Sequence, residues 1–111
     1  MARKLARGEI WLHTFSTPDK RRPVLILSRD SALAFMRTAL VAPITSTVHG
    51  LPSEVVIGAD QGLKHPSAVN LDHVQTVRQS DLAVFVGAVT PAQMRQVCQA
   101  LSVAVGCAAL Q

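Results

Sequence analysis

Two short apolar runs, Val24 to Leu27 and Ala39 to Ala42, constrain this chain more than any other feature. Polar punctuation closes each: Ser28-Arg29-Asp30 after the first, Pro43-Ile44-Thr45-Ser46 after the second. Runs this short, bounded by turn formers, read as buried strands. The first is continuous, without polar alternation, which predicts burial on both faces. An arginine pair, Arg21-Arg22, opens the first run, and Thr45-Ser46 closes the second. If the strands are antiparallel neighbours, the start of one lies beside the end of the other. Arg22 and Thr45 then share one rim of one sheet. A fixed guanidinium beside a hydroxyl suits a phosphate group.

The rest of the chain supplies partners for these strands. Gly8 to His13 reads as a first strand, with Ile10 and Leu12 on one face and Trp11 on the other. Thr14 to Lys20 is a loop. Asp30 to Met36 has room for one or two helical turns, capped by Ser28 or Asp30. Further strands are expected at Thr38 to Ile44, Ser53 to Ile57 and Val84 to Val86. Ser67 to Val77 alternates through Val69, Leu71 and His73, then falls out of phase at Val74 and Val77. That pattern predicts one strand with a bulge or bend near His73. Thr90-Pro91-Ala92-Gln93 announces a helix: an N-cap, a proline at the first helical position and a capping-box glutamine. Met94, Val97, Cys98, Leu101 and Val105 recur at helical spacing, and Gly106 is a natural stop. Met1 to Ala6 reads as a loose basic arm. The sum is one domain over residues 1–111, of α+β class, with a strongly bent, mostly antiparallel sheet.

A formal net charge of +4 and a pI of about 9.8 suit a polyanionic partner such as nucleic acid. Basic residues cluster at Arg3-Lys4-Arg7 and Lys20-Arg21-Arg22. One Trp, three Phe and no Tyr argue against an aromatic platform for stacking bases. Cys98 and Cys107 are the only cysteines and both fall within the expected helix, out of phase. Unpaired cysteines fit a reducing cytoplasm. No apolar run reaches the roughly 18 residues of a membrane span, and no signal peptide is evident. No metal-ligand spacing occurs, so no cofactor is expected.

The pattern Arg7-Gly8-Glu9-Ile10-Trp11, Arg21-Arg22-Pro23-Val24-Leu25, Pro43-Ile44-Thr45-Ser46, Gly62-Leu63 and Ser67-x-Val69-Asn70 resembles the MazF/PemK toxins. These are ribosome-independent endoribonucleases of bacterial toxin–antitoxin pairs. The resemblance runs from about Arg7 to Gly106. It implies a small SH3-like barrel with attached helices, a fold shared with the gyrase poison CcdB. It also implies a homodimer, single-stranded RNA as substrate and a cognate antitoxin. Cleavage would be metal-independent, leaving a 2′,3′-cyclic phosphate and a 5′-hydroxyl. Arg22 matches the family's catalytic arginine and Thr45 its active-site threonine. The base stays open between His13 and Asp19: the loop Thr14 to Lys20 has Asp19 where many members carry an acidic Gly-x-Glu-Gln loop. Arg21, Lys20 and Ser46 are expected to support the substrate, and Ser67, Asn70, His73 and Gln75 to read bases. Asp72 falls on the same segment. His49 and His65 are expected to be solvated. The alternatives are a CcdB-like gyrase poison and a non-catalytic nucleic-acid-binding module.

Overall fold

The computed structural model describes residues 4–14 and 21–108. The strands are β1 (Glu9–Thr14), β2 (Arg21–Ile26), β3 (Thr38–Thr45), β4 (Glu54–Ile57), β5 (Ser67–Asn70), β6 (Gln75–Arg78) and β7 (Leu82–Ala88). The helices are α1 (Asp30–Phe35) and α2 (Pro91–Ala104). Strand order is β4-β5-β3-β2-β1-β7, with β6 also on β3, and every pairing is antiparallel. The result is an open, strongly bent sheet with a C-terminal helix.

The bend is built around β3. Its first half pairs with β6 and its last two residues pair with β5. The expected single strand from Ser67 to Val77 is therefore two strands, joined by a 3-residue 3₁₀ turn, Leu71–His73. The reason is local. Asn70 Oδ1 accepts the Asp72 N–H at 3.0 Å, Ser53 Oγ donates to Asp72 Oδ2 at 2.5 Å, and the Leu71 N–H reaches the Ser53 carbonyl at 3.0 Å. Leu71, 2% exposed, drops into the core.

Strand alternation sends side chains into two cores. Ile10, Leu25, Ala42, Ile44 and Val69 pack beneath Met94, Val97 and Ala100 of α2. Trp11, Val24, Ile26, Val41 and Val77 pack with Leu33 of α1 on the other side. The run Val24 to Leu27 is thus buried on both faces, as its composition required. Trp11, 1% exposed, meets Phe85 edge-on at 5.6 Å.

Several sequence expectations change. Leu5 is buried in the second core and the Ala6 N–H donates to Glu9 Oε1 at 2.8 Å, so residues 4–6 are tied down rather than loose. β2 begins at Arg21, so the arginine pair lies inside the strand. Neither Ser28 nor Asp30 caps α1, whose N-cap is Arg29. Ser28 Oγ instead accepts the Leu40 N–H, and Asp30 Oδ1 accepts the Arg7 N–H, both at 2.8 Å. The α2 capping box is present in both directions. Yet Cys98 is exposed and Val105 lies past the helix, while Ala100 and Ala104 help fill the apolar face. Cys107 also lies outside the helix, and both cysteines are free and exposed. No helix among the described residues is long and apolar enough to cross a membrane.

Candidate functional site

Pairing of β1 with β2 sets His13 opposite Arg22 and Thr14 opposite Arg21. Pairing of β2 with β3 sets Val24 opposite Pro43. Two residues beyond that pair on each strand, at the same end, stand Arg22 and Thr45. All three residues share the parity of Trp11, Val24 and Val41, so His13, Arg22 and Thr45 stand on one face at one end of three adjacent strands. Pro23 favours an extended backbone at Arg22, which its place in β2 satisfies. Arg22 is exposed, Thr45 half-buried, and His13 only 9% exposed. Thr45 Oγ1 accepts the Thr47 N–H at 3.2 Å, which leaves the hydroxyl proton to donate elsewhere.

The opposite parity builds a cavity of about 490 Å³. Leu12, Arg21, Pro23, Ile44 and Ser46 form one side, with Arg22 reaching its rim. The far wall is the β4–β5 connection, through Gly62, Leu63, Lys64 and His65, with Ser67 and Val86 beside it. Among the described residues no carboxylate lines this cavity. Nor does any described carboxylate pair with Arg21 or Arg22. The cavity is therefore cationic at its rim and apolar at its floor, which suits a phosphate attached to a flat apolar group.

Of the residues singled out from sequence, Arg21, Arg22, Ser46 and Ser67 line this cavity, while Thr45 and His13 do not. Asp19 and Lys20 lie outside the described residues. Asn70 and Asp72 are engaged in the turn that separates β5 from β6. His73 is exposed on that turn and Gln75 pairs with Val41, and neither lines the cavity. Arg7 sits in a different cleft, its guanidinium donating to Cys98 Sγ at 3.0 Å. Sequence reasoning passed over Lys64 and read His65 only as a solvated residue. The signal available was their position between Gly62-Leu63 and Pro66, a lysine and an imidazole inside a turn bounded by glycine and proline. His49 and His65 are both exposed, as expected. Among the described residues, no group of three or more His, Cys, Asp or Glu could hold a metal ion.

Residues 6–105 match the family described as "PemK-like, MazF-like toxin of type II toxin-antitoxin system". The chain is 47% identical over 104 residues to "Probable endoribonuclease MazF5" of Mycobacterium tuberculosis (strain ATCC 25618 / H37Rv), covering 92% of this chain and 94% of that protein. Among solved structures it is similar to "Mycobacterium tuberculosis toxin MazF-mt6", 37% identical at a TM-score of 0.81, covering 88% of this chain and 96% of that one. It shares its fold with an endoribonuclease from mycobacterial species solved in complex with its cognate antitoxin, at a TM-score of 0.84 and 24% identity, covering 96% and 99%.

Proposed function

The chain belongs to the PemK-like, MazF-like toxins of type II toxin–antitoxin systems, and from that premise we propose that Arg22 and Thr45 act together on one RNA phosphodiester. The protein is an endoribonuclease and the toxin of such a pair. Its substrate is single-stranded RNA. A cognate antitoxin holds it in check, and it works in the cytoplasm as a homodimer, with residues 1–111 acting as one domain.

RNA carries its own nucleophile. The 2′-oxygen attacks the adjacent phosphorus, and its proton passes to a base. The bond from phosphorus to the 5′-oxygen breaks, and that oxygen takes a proton. The products are a 2′,3′-cyclic phosphate and a 5′-hydroxyl, with no metal required. Charge builds on the non-bridging oxygens as the phosphorane forms. Arg22, a bidentate donor, offsets it there. The Thr45 hydroxyl, with its oxygen already engaged by the Thr47 N–H, donates to the same group. His13, directly across β1–β2 from Arg22, is assigned the 2′-hydroxyl proton, with Asp19 as the alternative. Arg21, Ser46 and Ser67 support the chain beside the cut, and Lys20 is assigned to the same task. Asn70, His73 and Gln75 meet RNA farther along.

The observation that carries this reading is the shared face of His13, Arg22 and Thr45 at one strand end. Primer extension on a mixed RNA pool treated with purified protein in chelator tests it. Cutting at a fixed short motif is expected, and its loss in Arg22→Ala. Wild-type protein that binds RNA but leaves it intact would refute the assignment.

A further inference from the structure

Lys64 and His65 line the same cavity as Arg21 and Arg22, from the β4–β5 connection rather than from β2, and the cleavage chemistry above does not use them. Their loop is held firmly. Gln61, 6% exposed, accepts the Gly58 N–H through Oε1 at 2.9 Å. Ser67 Oγ donates to the His65 carbonyl at 3.1 Å. Gly62 has a φ of 91° and lies so close to β7 that a Cβ there would collide with the Val86 carbonyl. A Cβ on Gly87 would likewise collide with the Gln61 carbonyl. Both glycines are thus required by a close backbone approach that pins the connection to β7. The wall is built before any ligand arrives.

Between this wall and the arginines the floor is aliphatic: Leu12, Ile44, Leu63 and Val86. The volume, about 490 Å³, falls in the range of small-ligand pockets. Cations stand on both sides and an imidazole at the edge. An imidazole offers one donor and one acceptor when neutral. A nucleotide has the complementary parts: two apolar ring faces, a hydrogen-bonding edge and an anionic phosphate.

We propose that this cavity is a nucleotide subsite of the RNA-cleaving site, taking one unpaired base next to the cut. The base lies between aliphatic side chains. Lys64 holds its phosphate from the side opposite Arg21, and His65 hydrogen-bonds the base edge and so sets which base is accepted. This rests on the nuclease reading for the path of RNA past Arg22, and adds the pocket and the two loop residues.

Short 2′-O-methyl RNA homopolymers of each base are suitable probes. They lack the nucleophilic hydroxyl, so binding is read without cutting. Wild-type protein is expected to bind one base's polymer about tenfold more tightly than the rest. His65→Ala should reduce that preference to within about twofold. Lys64→Ala should weaken all the polymers alike, about tenfold, and lower the salt dependence by about one phosphate contact. Both side chains are exposed, so folding is not at stake. Equal wild-type affinity for every polymer overturns the subsite, as do variants that bind as wild type does. A wild-type protein that cuts no RNA sinks the nuclease chemistry instead and leaves these binding results standing.

Discussion

The two ends of β3 are finished in opposite ways. At the Thr38 end, backbone groups are gathered in. The Gln79 side-chain amide donates to the carbonyls of Leu33, Met36 and Thr38 at 3.1, 2.9 and 3.0 Å, and the Gln79 N–H reaches the Arg37 carbonyl at 2.8 Å. The neighbouring cation is also paired, Arg78 with Asp81 at 3.4 Å. At the Thr45 end, Arg21 and Arg22 face solvent with no described carboxylate partner, beside a cavity rimmed by Lys64 and His65. One end closes a helix and a turn. The other leaves like charges gathered and unpaired, an arrangement that favours the fold less than it favours an anion. On the proposed function, stability and substrate binding fall to different ends of the same strand.

If that division holds, substitutions at the two ends should separate activity from stability. Arg22→Ala carries the largest effect: single-turnover RNA cleavage should fall about 10²–10³-fold, while the Tm stays at the wild-type value. A large Tm drop would mean that the arginine holds the sheet instead. Gln79→Ala should do the reverse, costing about 1 kcal/mol in urea unfolding because it strips a shared donor from three carbonyls, two of them partly buried, with the cleavage rate kept. Loss of cleavage there would show the ends to be coupled. Thr45→Val keeps the shape and removes the hydroxyl. It should slow cleavage about tenfold, the worth of one donor, and a rate equal to wild type would remove Thr45 from the chemistry. Asp81→Asn should cost under about 1 kcal/mol, since the Arg78–Asp81 pair is solvent-exposed. A bigger loss would make that surface pair part of the stitched end.

Local chemistry was readable residue by residue. The α2 start appeared in the chain as Thr90-Pro91-Ala92-Gln93 because a capping box is made within one turn. Trp11 and Ile10 separated onto opposite faces because a strand's period is two. That Arg22 and Thr45 fall at the same end of β2 and β3 needed only the assumption that two successive strands are antiparallel neighbours. Other features depended on distant atoms. Ser28 and Asp30 are reasonable caps by type, but Leu40 and Arg7 claim their oxygens first. Cys98 has helical spacing with the buried face, yet the sheet lies where Ala100 is better placed to be covered.

By itself, then, the sequence determined the identity of the elements, the polarity of their faces and the residue types available to meet a phosphate. These follow from interactions within a few residues and from short-range periodicity. Tertiary structure alone decided that β5 and β6 share β3 across a turn, and that Gly62 and Gly87 let the β4–β5 connection lie against β7. It alone brought Lys64 and His65 to the cavity that the arginines line. The physical reason is that close approach of two backbones is a property of the pair, and neither segment carries it alone.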